Sequence, residues 1–559
     1  MSASLAEEPS PSERRISFNQ DVRPILSDNC VFCHGPDAED RQADVRLDVP
    51  DEVDLDEVLD RISQSDPDLV MPPPESHKQL SDSQIDTLKR WIREGAVYEQ
   101  HWAFQPVSDP DIPGELEVDG GGHSIDRFVQ RRLREVSSEE SSSPTSRRSN
   151  SPRADRRTLI RRVTMDLTGL PPTRAEIAAF LADESPSAFA DLVDRLLERP
   201  AYGEHMARFW LDLVRFADTN GLHHDHYREM TPYRDWVIRS FNGNMPFDRF
   251  VVDQIAGDLH PSPSVDQRIA SGFNRLHLII DRGTALPEES FMRNVVDRVS
   301  SVGTAFLGLT LECAVCHDHK YDPITQRDFY QLYAFFNNFD GGPETGGRKG
   351  TDFRRGLQEP YLELPSPDQR RIRKGLEREI ADLSKELKEL DAKIKRQKIA
   401  DETAANVSGK ANGSGKDETV AARDADAHAT AVTAADDEAK LVEIRKTLSK
   451  RLSQKSAARD QLLERIPAAL VMKERDEIRP AYIMERGNYD QPGEEVRRST
   501  PGFLPPLAVS GGDPSRMDLA NWLTGRSQPL TARVAVNRFW QQLFGVGIVK
   551  TSEDFGAQG

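Results

Sequence analysis

No stretch of eighteen or more apolar residues occurs in this chain, so nothing in it is expected to span a bilayer. Basic residues are in deficit, 74 against 93 acidic, for a formal net charge of −19. That balance argues against nucleic acid or an anionic membrane surface as a partner. Residues 1–12 lack a basic stretch followed by an apolar core, so no secretory leader is visible. What is present is a 37% hydrophobic fraction, enough for packed domains, and 30% charged residues, which imply a well-solvated surface. At 559 residues the chain is too long for one core, and three or four units are expected.

Cysteine is scarce too, and its placement carries the argument. All four cysteines fall in two copies of one pattern, Cys30-Val31-Phe32-Cys33-His34 and Cys313-Ala314-Val315-Cys316-His317. Two thiols three residues apart on one turn can add to both vinyl groups of a porphyrin. The histidine that follows then presents its imidazole to the iron as the proximal ligand. A disulfide reading has no use for the histidines, and a zinc reading usually needs a second C-x-x-C or two further ligands. The first motif is therefore read as a covalent haem c site, with Cys30 and Cys33 as attachment points and His34 as ligand. Because c-type haem is attached outside the cytoplasm, a periplasmic or other extracytoplasmic location is expected. The native start is then expected upstream of Met1, or its leader to have been removed.

Phe18, Val22, Ile25 and Leu26 are spaced like one face of a short helix leading into Cys30. Met71, in Leu69-Val70-Met71-Pro72-Pro73-Pro74, is the candidate sixth ligand, since three prolines stiffen the loop that would hold a thioether over the iron. The alternative is that Met71 is a core residue. Ser81 and Gln84 form a capping-box start for a helix whose apolar face is Ile85, Leu88, Trp91 and Ile92, with Gly95 as its stop. A helix, a Met loop and an aromatic-bearing helix describe a small class I cytochrome c suited to electron transfer.

With these residues in place, the segment 18–95, with its C-V-F-C-H-G, V-M-P-P and L-K-R-W-I-R-E-G-A strings, resembles the planctomycete cytochrome c domain. Downstream, D-R-R-T-L-I-R-R from Asp155, D-L-T-G-L-P-P from Asp166 and W-L-D-L-V-R-F-A-D from Trp210 resemble the uncharacterised domain that usually follows it. C-A-V-C-H-D-H-K-Y-D-P-I from Cys313 belongs to the same likeness. S-R-M-D-L-A-N-W-L-T from Ser515 and V-N-R-F-W from Val536 resemble the start of a third, also uncharacterised, domain, which this chain is expected to carry only in part. The resemblance implies a family and no particular reaction.

Residues 137–151 form a Ser, Glu and Arg tract without apolar periodicity, read as a disordered insertion. From Asp155 onward the signals are helical: a capping box at Thr173 and Glu176, then apolar spacing over 189–197, 205–216, 234–255 and 290–309. The middle domain is expected to be mainly α. Its C-x-x-C-H is crowded by His319, Lys320, Tyr321 and Asp322, and no M-P-P loop follows. A second haem on Cys313 and Cys316 with His317 as ligand is one reading, Zn or non-haem Fe held by the thiolates, histidines and Asp322 is another, and a purely structural motif is the third. A distal ligand under haem would come from His223, His224, His226, His260, His277 or Met292. His223-His224-Asp225-His226 is a metal-cluster candidate whose plainer reading is a polar loop. Arg215, Asp218 and Asp297 are candidates for an active-site shell, against the plainer reading of solvated salt bridges.

Leu376, Ile380, Leu383, Leu387, Leu390 and Ile394 alternate four and three apart, the spacing of a coiled coil. Residues 404–432 lack a period and read as a flexible tip, and Leu441, Ile444, Leu448, Leu452, Leu462 and Ile466 read as a return helix closed by Pro467. The expected division is a flexible N-terminus 1–15, a cytochrome c-like domain 16–107, a linker 108–154 and a helical domain 155–345. An antiparallel coiled-coil hairpin 366–467 and a partial C-terminal domain 468–559 complete it. The leading functional expectation is a multidomain c-type cytochrome exchanging electrons with a redox partner protein and serving a redox centre near Cys313, an oxidoreductase role included. A metal-dependent hydrolase with an appended cytochrome, and a scaffold docking to a partner or a second copy through the hairpin, are the competing readings.

Overall fold

The computed structural model describes residues 15–38, 40–50, 53–114, 123–140, 151–281, 284–343, 350–411, 420–509 and 511–559. The fold is mostly helical, with three two-stranded sheets among the described residues. It divides into two compact units: Met1–His226 with Tyr233–Gly347 and Val471–Gly559, and Tyr227–Pro232 with Arg348–Leu470.

In the first unit, the Ser17 hydroxyl accepts from the Gln20 amide and opens a π-helical turn, Phe18–Val22, that runs into α1 (Arg23–Asn29). Cys30 breaks the helix, and the single turn α2 (Val31–His34) carries the rest of the motif. Asp54 caps α3 (Leu55–Ser63), and the expected Ser81–Gln84 capping box opens α4 (Asp82–Arg93). Gly95 follows at φ +101°, a conformation open to glycine at little cost. Phe18, Val22, Leu26, Val31, Ile62, Leu88 and Trp91 bury together as the core of this module. The Phe18, Trp91 and Tyr98 rings meet with centroids 4.7–5.5 Å apart.

The helix α5 (Ser124–Glu140) overruns the start of the tract read as disordered. Its first turns carry Ile125, Phe128, Val129 and Leu133 at helical spacing, and the helix runs on through 137–140. The remainder of that tract, 141–150, and the expected flexible start, 1–14, lie outside the described residues. Next come α6 (Arg156–Thr168), α7 (Arg174–Ala182) and α8 (Ala188–Leu197), packed through Ile160, Phe180, Leu192 and Leu196. Pro200 starts α9 (Pro200–Leu213), five residues earlier than the apolar spacing indicates. A short parallel pair, β1 (Gly221–His223) and β2 (Ile279–Asp281), was not anticipated, because three residues carry too little alternation to read.

The single helix expected over 234–255 is two, α10 (Thr231–Asn242) and α11 (Phe247–Ala256), divided at Pro246. Trp210 is boxed between Phe250 and Phe306, at 4.9 and 5.7 Å between ring centroids. The helices α12 (Val265–Ala270) and α13 (Pro287–Val302) lead to the second motif, and α14 (Gln326–Phe336), capped by Thr325, leaves it.

The second unit is a hairpin on a small base. After α15 (Thr351–Arg354) and β3 (Tyr361–Glu363) the long helices α16 (Pro367–Ala411) and α17 (Val420–Leu463) run antiparallel, and β4 (Ala468–Leu470) pairs with β3. The pairs Glu379–Lys455 and Asp391–Arg445, both at 2.6 Å, fix the antiparallel register, and Leu383 and Leu448 are buried within it. Helix extends through 404–411 and 420–432, so the expected flexible tip is largely helical. Alanine-rich sequence needs no apolar period to be helical. Residues 412–419 lie outside the described residues. At the far end α17 stops at Leu463, so Ile466 is a buried residue at the base rather than the last helical position.

The first unit closes with the antiparallel strands β5 (Ala481–Met484) and β6 (Pro492–Val496), then α18 (Arg516–Leu523) and α19 (Leu530–Phe544). Arg516 is fully buried. Its guanidinium donates to both oxygens of Asp258 at 3.0 and 2.6 Å and to Glu474 at 2.7 Å. Asp258 therefore depends on this cation to lie out of water, while Glu474 is also approached by Arg498 at 3.7 Å. Arg516→Ala is expected to destabilise the protein by about 3–5 kcal/mol in urea denaturation, because it strands the Asp258 carboxylate and takes one of two cations from Glu474. A loss below about 1 kcal/mol would show that water already reaches them.

Candidate functional site

The first C-x-x-C-H is built on the break between α1 and α2. The Cys33 and His34 amides both donate to the Cys30 carbonyl, at 3.1 and 2.9 Å, which winds the five residues into one turn. That turn carries Cys30 and Cys33 on one short stretch of backbone, with Cys30 packed against the module core. Burial, with the neighbouring Cys33 second, pushes the Cys30 thiol up to about 12, so it is held as a thiol. His34 follows directly. Its backbone carbonyl accepts from the Leu47 amide at 2.9 Å, while its ring Nδ1 is buried without a hydrogen-bond partner. Burial lowers the His34 pKa against the opposing effect of backbone hydrogen bonding near Val45 and Gln42. A neutral imidazole is the form a metal ligand requires.

Met71 sits in the loop after α3, its amide tied to the Arg61 carbonyl at 3.1 Å and its side chain 37% exposed. It is not part of the core, so the packing alternative for this residue falls away.

The second motif has the opposite setting. Cys313, Cys316 and His317 are all exposed. The His317 Nδ1 lies 2.7 Å from the Asp318 carbonyl, an oxygen that only accepts, so Nδ1 donates there and Nε2 is the ring nitrogen left outside that bond. Gly487, at φ +71°, passes so close that a Cβ there would lie 2.8 Å from the Cys316 sulfur. Tyr330 and Gln326 both donate to the Val315 carbonyl, at 2.9 and 3.1 Å, and hold the turn between the two cysteines.

The residues after this motif fold inward. His319 is buried, and its Nδ1 accepts from the Asp322 amide at 3.0 Å. Burial lowers its pKa, so it is a neutral acceptor and the 3.6 Å approach to the Asp322 carboxyl is not an ion pair. The Asp322 carboxyl accepts from the Ala557 amide at 2.7 Å. Gly556 is needed beside it, since a Cβ there would fall 2.2 Å from Asp322 Oδ2. Among the described residues, no group of three or more His, Cys, Asp or Glu side chains could hold a metal ion. The alternative of Zn or non-haem Fe on the thiols with His319 and Asp322 is therefore not supported: these two serve the loop's own closure while the thiols face outward.

Other candidates take structural places. Arg215 and Asp297 form a bidentate pair at 2.7 and 2.9 Å, the salt-bridge reading. His260 bonds Asp253 at 3.1 Å, and Met292 is buried on α13. His223 lies in β1, and the His224 and His226 rings stack 5.7 Å apart. His277 is buried, and Asp218 lies just ahead of β1.

Sequence reasoning missed the contacts that join the two motifs. Lys320 places its ammonium 3.6 Å from the centre of the Phe32 ring and pairs with Asp40, and Tyr321 packs against the core of the first module. His101 was missed as well. It is buried, with its pKa pushed down to about 3 by burial and by Arg23.

Family comparison finds planctomycete cytochrome C (PSCyt1) over residues 30–75. PSCyt2 matches over 124–341 and PSD1 over 515–559, each described as a protein of unknown function. No curated protein and no solved structure matches the chain. No helix among the described residues is long and apolar enough to cross a membrane.

Asp322 provides a pH test of the loop. Burial pushes its carboxyl up to about 6, with Asp554 adding to the rise and the Ala557 amide and Arg23 opposing it. The folded state therefore holds this proton more tightly than the unfolded state. The contribution to stability is complete below about pH 4 and is lost as pH rises past about 6, a change of about 2–3 kcal/mol. Asp322→Asn is expected to flatten that segment of the stability–pH curve in denaturant titrations. An unchanged slope would place the proton elsewhere.

Proposed function

We propose that this chain, which carries planctomycete cytochrome C, PSCyt2 and PSD1 segments in that order, is an extracytoplasmic multidomain c-type cytochrome that exchanges electrons with a redox partner protein. The observation that carries this reading is the first turn itself: His34 directly follows Cys33 on the turn closed by the Cys30 carbonyl, with its ring Nδ1 buried and its pKa lowered by burial. In this reading Cys30 and Cys33 hold haem c through thioethers, His34 is the proximal ligand and Met71 the sixth. The haem supplies a one-electron iron couple when bound.

The chain's own residues do the rest. Leu26, Val31 and Trp91 keep water from the inner side of the attachment turn, which favours a high potential together with thioether ligation. Phe32, 54% exposed between the two cysteines, marks the open side. At the second motif, Cys313 and Cys316 would hold a second haem. His317 is the ligand there, because the carbonyl that accepts from its Nδ1–H orients the ring and leaves Nε2 to face a metal. The middle domain is then the site of a second redox centre.

The test is covalent haem on denaturing gels of protein matured with cytochrome c assembly machinery. Thioether bonds survive denaturation and coordination does not. Wild type is expected to carry two haems, Cys30→Ala/Cys33→Ala and Cys313→Ala/Cys316→Ala one each, and the fourfold variant none. A haem-free band for Cys313→Ala/Cys316→Ala would refute the first site. Met71→Ala is expected to keep its haem but to lose the weak far-red band of an iron–thioether bond and to fall in potential. If wild type lacks that band, Met71 is not the ligand.

A further inference from the structure

We infer that the loop following the second C-x-x-C-H is a built-in seat for the first, with Lys320 and Tyr321 as the positioning residues that hold the two motifs together. The two motifs lie 283 positions apart in the chain, Cys30 against Cys313. Residues from both converge on one seam. Phe32, an exposed aromatic inside the first motif, takes the Lys320 ammonium over its ring at 3.6 Å. Asp40, six residues past His34, pairs with the same ammonium. Tyr321 joins the cluster formed by Phe18, Val22, Leu26 and Trp91, so a residue four past His317 completes the apolar core around the other motif.

The seat is stiff for a reason that lies in the loop itself. The His319 amide donates to the Ile324 carbonyl at 2.8 Å, and the Asp322 amide donates to the His319 ring at 3.0 Å. Asp322 is anchored in turn on Ala557. Buried His319 and Asp322 thus point one way from the loop. Lys320 and Tyr321, which lie between them, reach the first module. The same four residues that crowd the second motif in the sequence therefore have a division of labour, two closing the loop and two presenting it.

Resting on the proposed haem attachment at both motifs, this seat couples the two groups by position within one chain, without a diffusional encounter. It also places a fixed cation beside the first motif. The seat itself stands on the geometry alone, so the two ideas fail separately.

The experiment uses the full chain, haem-loaded, in four forms: wild type, Lys320→Glu, Tyr321→Ala and the charge swap Asp40→Lys/Lys320→Asp. Amide hydrogen exchange is followed over 30–48 and 317–324, and the potentials of the attached groups by redox titration. Lys320→Glu is expected to speed exchange in both segments together, by roughly tenfold, since one cation–π contact and one ion pair are lost. Exchange in α11 and α13 should stay unchanged. Tyr321→Ala should act on the same two segments, and the charge swap should restore much of the protection that Lys320→Glu removes. In titrations, Lys320→Glu should lower the potential of the first site without loss of covalent haem. If neither Lys320→Glu nor Tyr321→Ala changes exchange in 30–48, the seat is wrong, whatever the haem count. If exchange changes as described and only one haem is bound, the seat stands and the second-haem reading fails.

Discussion

The buried carboxyl of Asp322 is the constraint from which both motifs take their places. It is 3% exposed and lies against Gly556 and the Ala557 amide, close to the end of the chain. A carboxyl taken out of water needs partners of this kind or a proton, and its raised pKa shows that burial outweighs them. Once Asp322 is fixed, His319 closes the turn above it as a neutral acceptor. Lys320 and Tyr321 then have only one side left, the side of the first module. One short loop thereby ties together the N-terminal module, the second motif and the C-terminal residues, all within the first unit.

The two C-x-x-C-H turns are alike in sequence and different in surroundings. At the first, the thiol of Cys30 and the ring of His34 are desolvated, and both are held in their neutral forms. At the second, thiols and imidazole face outward, and a single carbonyl orients the ring. Burial and solvent exposure are among the main levers on the potential of a haem group. On the proposed function, the same attachment chemistry would therefore give a high-potential site inside the small module and a lower-potential site on the middle domain.

Much of the fold is legible in local signals. The capping boxes at Ser81 and Thr173, the stop at Gly95 and the four-three spacing from Leu376 each act within a few residues. The misses follow from the same physics. Pro246 splits one apolar run into two helices, β1 and β2 are too short to alternate, and the alanine-rich stretches 404–411 and 420–432 form helix without an apolar period. At the site, the residue types were visible while their partners were not. Lys320 and Asp322 both read as neighbours crowding the second motif, with Asp322 a candidate metal ligand. Only the three-dimensional fold shows one reaching Phe32 and the other Ala557. Contacts between residues 235 or more positions apart leave no periodicity in a single sequence.

The central claim, that haem is covalently held by this chain at its paired cysteines, is tested most directly by peptide mapping. Protein matured with the cytochrome c assembly machinery would be denatured, digested and read by mass spectrometry. The account predicts a haem adduct on the peptide containing Cys30 and Cys33, with both thiols consumed, and a second on the peptide containing Cys313 and Cys316. Recovery of the Cys30–Cys33 peptide with two free thiols would contradict it.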